Sequence, residues 1–268
     1  MILPPVKTEF ETDQAGRIVY PVDNGEPLSN DTEHLRWITF LKNGLEDWFA
    51  DRTDVFVAAD LLWYPVEGRP DISKAPDVMV SMGRPAGDRS SYKQWEERGH
   101  PPDVVFEFIS KSNTAGELME KLEFYSEMGC HEFFVYDYRR KRLNCFRRTG
   151  EAGLVSVAPG DDGSFVSVVL GMVFGLDGRG QLWVRRPDGK LVESQRETAR
   201  RAEAEAARAE AEAARAATES ARAEAEAARA EAEAARAATE SARAEAEAAK
   251  VAQFAAKLRE LGFDPDAI

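Results

Sequence analysis

Cysteine is almost missing from this 268-residue chain, which has only Cys130 and Cys145. They form no Cys-x-x-Cys pair, which removes zinc-ribbon and thioredoxin-type chemistry, and two thiols make no disulfide framework. A reducing, cytoplasmic compartment is expected, with a Cys130–Cys145 bond as the less favoured alternative. No apolar run reaches the ~18 residues of a membrane span, so no membrane partner is expected. The opening MILPPVKTEF has no apolar core of signal-peptide type. Neither a GxGxxG turn nor a P-loop occurs, so glycine-cradled phosphate binding is excluded. The three histidines, His34, His100 and His131, follow no metal-ligand spacing. Positive charge is scarce too: 35 Lys and Arg face 48 Asp and Glu, a net charge of −13. A balance that acidic argues against non-specific nucleic-acid binding, unless basic residues cluster or a divalent cation offsets local carboxylates.

What is present falls into two compositions. Residues 199–249 are almost wholly Ala, Glu and Arg, and Arg recurs every seventh residue from Arg201 to Arg243. Each of those arginines has a Glu four residues on, such as Arg201 and Glu205. Such pairs add ~0.2–0.5 kcal/mol each to an exposed helix, and Ala has the best helix propensity. One long helix over 195–268 is predicted, carrying heptads. Ala202, Ala206, Ala209 and Ala213 give a weak coiled-coil seam, so a solitary charged helix and a homo-oligomer built on that seam both stay open. At its end Phe254, Leu258, Leu261 and Phe263 restore apolar character.

Residues 1–194 have the mixed composition of one globular domain, and ~190 residues suffice for a sizeable core. Asp31 and its neighbours Asn30 and Thr32 offer N-caps for a helix over about 32–50. Its apolar residues Leu35, Ile38, Leu41, Leu45 and Trp48 recur at spacings of three and four. Val55–Tyr64 reads as a strand holding one carboxylate, Asp60, unless that residue marks a bend. Asp77–Met82 reads as another strand. The polar stretch 83–102 reads as a functional or mobile loop rather than a packed element.

The chain is organised around PPDVVFEFISKSNTAGELMEKLEFY, residues 101–125. Val104–Ile109 has the length and β-branched, aromatic content of a buried strand, yet Glu107 stands in its middle. A carboxylate there must be paired, neutralised or metal-bound. A helix follows from about Ala115, with Glu117, Lys121 and Tyr125 sharing one face at i, i+4 and i+8. Asp77 lies on a separate strand. Two carboxylates can hold Mg²⁺ or Mn²⁺ with waters completing the shell, and a lysine beside them can offset charge on a phosphate. Each residue also has a plainer reading. Asp77 could cap a turn, Glu107 could form a structural ion pair, and Lys121 could be a surface lysine beside Glu117. Arg139, Arg140, Lys141, Arg142, Arg147 and Arg148 form either an ordinary hairpin tip or a phosphate-contacting one.

The segment PPDVVFEFISKSNTAGELMEKLEFYSEMGCHEFFVYD, together with APDVMV at 75–80 and LRELGFDPD near the end, resembles the Uma-type restriction endonuclease family. That family is a branch of the PD-(D/E)xK, restriction-endonuclease-like superfamily. The resemblance implies an α/β fold with an αβββαβ core and a mixed sheet, here followed by the long helix. It implies metal-dependent endonuclease cleavage of DNA, with RNA left open, and Mg²⁺ or Mn²⁺ as cofactor. It makes Asp77 and Glu107 metal ligands and Lys121 the catalytic lysine. The superfamily usually places that lysine two residues after the glutamate, where this chain has Ile109, and in this branch it sits on the helix. Lys111 competes for the role. His34 is kept as a weaker candidate because the family often has histidine near the start of the first helix. The alternative is a catalytically inactive nuclease-fold module that binds or assembles through its C-terminal helix.

Overall fold

The structure, a computed structural model, describes residues 9–23, 25, 29, 31–109 and 114–262, without the side chains of 195 and 196. The chain divides into two units, residues 1–198 and 199–268.

The first unit opens with helix α1 (Thr32–Trp48). Asp31 caps it, its carboxylate accepting from the Glu33 and His34 amides, which otherwise have no intrahelical partner. Strands β1 (Val55–Ala58), β2 (Trp63–Tyr64), β3 (Val78–Met82), β4 (Tyr92–Lys93) and β5 (Val104–Phe108) follow. Helix α2 (Ala115–Glu127) then crosses to β6 (Glu132–Asp137), which turns back into β7 (Arg142–Arg148). Short strands β8 (Leu154–Ser156), β9 (Phe165–Val166), β10 (Val173–Leu176) and β11 (Leu182–Arg185) complete the unit.

Six strands form the main sheet in the order β1-β3-β5-β6-β7-β8. Only the β5–β6 pair in it is parallel, and α2 is its crossover; the other neighbours run antiparallel. Leaving aside the two-stranded β2–β4 pairing, α1, β1, β3, β5, α2 and β6 give the expected αβββαβ succession in a mixed sheet. Alternation along β5 assigns its faces. Val104, Phe106 and Phe108 pack with Trp37, Ile38 and Leu41 of α1. Val105 packs with Phe124 and Tyr125 of α2, and Glu107 shares its parity. Glu107 therefore lies on the face of β5 that α2 covers.

Two expectations need correcting. Residues 55–64 are not one strand. The chain bends at Asp60, exposed with φ 48°, and separates β1 from β2. The Asp60 amide donates to the Pro76 carbonyl across that bend. Nor is 83–102 an unpacked loop. Tyr92 is fully buried, stacks on Phe56 at 5.7 Å and donates its hydroxyl to the His100 carbonyl. Arg89 lies 3.9 Å over the Phe56 ring and pairs with Glu97 at 2.7 Å. One buried ring and one cation–π contact hold a stretch that has no apolar periodicity to reveal it.

The second unit is the continuation of helix α3 (Gln195–Glu260). Its 66 residues span roughly 100 Å at ~1.5 Å each, and residues 197–254 are all exposed. No helix among the described residues is long and apolar enough to cross a membrane. The final residues, including Phe263, lie outside the described ones.

Candidate active site

β3 and β5 pair antiparallel with Val78 opposite Phe106 and Val80 opposite Val104. Extending that register by one residue sets Asp77 opposite Glu107, and opposed residues on neighbouring strands project to the same side. Glu107 is 3% exposed. Both its oxygens are occupied: Lys121 Nζ donates to Oε2 and Tyr125 Oη donates to Oε1, each at 2.6 Å. Lys121 and Tyr125 thus come from one face of α2, four residues apart, as the spacing predicts. Glu117, on the same predicted face, does something else. It closes a capping box with Thr114 at the helix start.

Asp77 is held at its Oδ2. The Phe108 amide donates to that oxygen at 2.6 Å, and His34 Nε2 lies 3.0 Å from it. Oδ1 accepts no hydrogen bond among the described residues. His34 is braced by its own surroundings. Its ring stacks on Tyr138 (6.4 Å, 22°), and Asp31, which caps its helix, accepts from Tyr138 Oη and Arg139.

The electrostatics follow from burial and opposed charge. Burial pushes the Glu107 carboxyl up to about 7. The Lys121 ammonium pulls it down, Asp77 pushes it up again, and hydrogen bonds from Lys121 and Tyr125 pull it down. Burial lowers His34, but the Asp77 hydrogen bond and the charges of Asp77, Glu107 and Asp31 outweigh that and raise it overall. Tyr125 is pushed well above the usual phenol range, by burial first and by Glu107 second, so it stays a donor. Asp31 is drawn down to about 2, chiefly by the His34 amide.

Asp77 and Glu107, set side by side by the β3–β5 register, could together hold a cation. The donors are hard oxygens, which suit Mg²⁺ or Mn²⁺. Among the described residues no group of three or more His, Cys, Asp or Glu is arranged as a metal cluster. A cation held by Asp77 and Glu107 alone would keep most of its waters.

The other sequence candidates fare differently. Lys111 lies outside the described residues. Asp60 stands at its exposed bend. His100 and His131 both bond Asp103, at 2.8 and 3.0 Å, at the start of β5. Cys130 and Cys145 are buried free thiols, and burial pushes Cys145 up to about 12. Of the basic hairpin, Arg147 pairs with Glu132, and Arg148 bonds the Cys130 and Ser126 carbonyls, so both are structural. The spacing sets Tyr125 on the Lys121 face without a role, and only the fold reveals it as a Glu107 partner.

The Uma2 family model, described as "Putative restriction endonuclease", matches residues 9–177. Among solved structures, the chain is similar to a crystal structure titled as a "putative nuclease belonging to DUF820" from Anabaena variabilis ATCC 29413. The two share 12% identity with a TM-score of 0.40, over 55% of this chain and 79% of that one. No curated protein matches the chain.

Proposed function

The chain belongs to the Uma2 family, and from that premise we propose that it is a metal-dependent endonuclease that hydrolyses phosphodiester bonds in DNA at Asp77, Glu107 and Lys121. The observation that carries this reading is the junction of Asp77 and Glu107 on adjacent strands with an α2 lysine 2.6 Å from the glutamate. Asp77 and Glu107 would hold Mg²⁺ or Mn²⁺, which supplies Lewis-acid stabilisation of the phosphate and a more acidic water.

The chain's own residues have separable tasks. Phe108 N–H and His34 fix one oxygen of Asp77 and leave the other available. Tyr125 locks the orientation of Glu107 by donating to it. Lys121 favours the ionised form of Glu107 and offsets negative charge that grows on the phosphate. The side chains of Glu107 and Asp77 are only 4% and 13% exposed, so little water screens these charges. Because the proton and the cation compete for Glu107, raising Mg²⁺ moves the acid limb of activity to lower pH.

The test is incubation of supercoiled plasmid with the protein and Mg²⁺ or Mn²⁺. Nicking that stops in EDTA and in Asp77→Asn is expected; no cutting under any metal condition overturns the reading.

A second reading rests on α3. A helix exposed on every side over residues 197–254 suits an assembly device that could accompany catalysis or replace it. Sedimentation of the full chain against one ending at Glu193 tests this reading: self-association of the full chain alone would make α3 an assembly device, with or without catalysis.

A further inference from the structure

The acidic chain carries one compact basic feature at the active-site end of its sheet. β5 and β6 run parallel with Glu107 beside Val135 and Phe108 beside Tyr136, so the turn that follows β6 lies at the end of the sheet where Tyr138 stacks on His34, the partner of Asp77. Asp137 shapes that turn, its Oδ1 accepting from the Arg139 and Arg140 amides at 3.1 and 2.8 Å. Arg139 is drawn to Asp31 at 2.9 Å and Arg140 to Asp137 at 3.2 Å. Lys141 and Arg142 are exposed and have no ion pair among the described residues. The 177–180 turn abuts them. Tyr136 Oη donates to the Gly180 carbonyl at 2.8 Å, and Gly180 lies so close to Lys141 that a β-carbon there would sit 2.6 Å from the lysine's Cβ. This contact adds the exposed Arg179 to the same patch, beside Asp177, whose carboxyl is lowered chiefly by the Gln181 amide and also by the Arg179 and Lys141 charges. On α2, which carries Lys121, the exposed side chains include Glu117, Glu120, Glu123 and Glu127.

Resting on the nuclease reading above, the geometry points to Lys141, Arg142 and Arg179 as a phosphate track that leads a single nucleic-acid strand into the site. Three cations match the phosphates of a short stretch of one strand. A rigid duplex laid over the site must also approach the glutamates of α2, whereas a flexible strand can stay on the basic side. The burial of Glu107 beside the half-buried Asp77 points the same way, because an unpaired strand can bend toward a recessed centre.

Binding is measured in EDTA by fluorescence anisotropy, using one labelled oligonucleotide either single or annealed to its complement. The wild-type chain should bind the single strand more tightly, with log affinity falling against log salt at a slope of about −2 for three contacts. Lys141→Gln/Arg142→Gln/Arg179→Gln should bring that slope toward zero and weaken binding about a hundredfold near 0.1 M salt. Glu120→Gln/Glu123→Gln should improve duplex binding more than single-strand binding. A triple variant with wild-type affinity and slope, or a wild-type chain that prefers duplex at equal salt, overturns the track. Because no metal is present, wild-type binding that depends on the turn, combined with no cleavage in Mg²⁺, would sink the nuclease reading alone. Metal-dependent cleavage by a chain whose binding ignores the turn would sink the track alone.

Discussion

Glu107 and Glu132 are both buried glutamates, 3% and 0% exposed, on the neighbouring parallel strands β5 and β6. Each is ion-paired. Their partners differ in kind. Glu132 binds Arg147 at 2.9 Å, the Ser167 hydroxyl and the Val168 amide at 3.0 Å, all of them fixed parts of the β7–β10 region. Glu107 faces a second carboxylate, a lysine that is 24% exposed at its side chain, and a phenol. A guanidinium with a backbone donor satisfies a carboxylate for good. An ammonium at a site mouth, opposite another acid, leaves the carboxyl poised near neutrality. Burial and pairing are common to both acids; competing charge beside an accessible partner is what sets Glu107 apart.

The sharpest break of the comparison is substitution at each glutamate. Glu107→Gln should cut plasmid nicking by roughly 10³-fold or more while the protein stays folded. Glu132→Ala should cost about 3–5 kcal/mol of stability in urea unfolding, because it strands the Arg147 charge, yet leave activity per folded molecule near normal. A third test uses pH. The folded-state pKa of Glu107, about 7, lies above its ordinary 4.5, so the folded protein holds that proton more tightly than the unfolded chain. Its contribution is complete below about pH 4.5 and is lost as pH rises to about 7. The loss amounts to about 3 kcal/mol at ~1.4 kcal/mol per unit. Glu107→Gln should remove this part of the pH dependence when unfolding is compared at pH 5 and pH 8. Lys121→Met should lower cleavage by about 10²-fold and move the acid limb upward, since the ammonium favours the ionised glutamate. Tyr125→Phe is the mildest change, at about 1 kcal/mol, and should shift the limb in the same direction; an unmoved limb would remove Tyr125 from the site.

The legible parts of this molecule were the locally encoded ones. The strand around Glu107 showed in its length and its β-branched and aromatic content, the α2 face carrying Lys121 and Tyr125 in its four-residue spacing, and the 66-residue α3 in its seven-residue repeat. The parts that were not legible depend on single long-range contacts. His34 meets Asp77 from 43 positions away, and no local pattern encodes that meeting. Residues 83–102 looked loose because one tyrosine and one arginine anchor them. Glu117 shared the spacing of a site residue, but the Thr114 hydroxyl and amide claimed it for a cap, a stronger local pull than a lysine one turn on. The basic hairpin divided for the same reason. Arg147 and Arg148 found buried acceptors, while Lys141 and Arg142 stayed at the surface.

The most direct measurement sets the two glutamates against each other. Plasmid nicking in Mg²⁺ is followed for the wild-type chain, Glu107→Gln and Glu132→Gln, each normalised to its folded fraction. The account predicts that wild type and Glu132→Gln nick at similar rates while Glu107→Gln does not nick. Nicking by Glu107→Gln at the wild-type rate, or loss of nicking confined to Glu132→Gln, would contradict it.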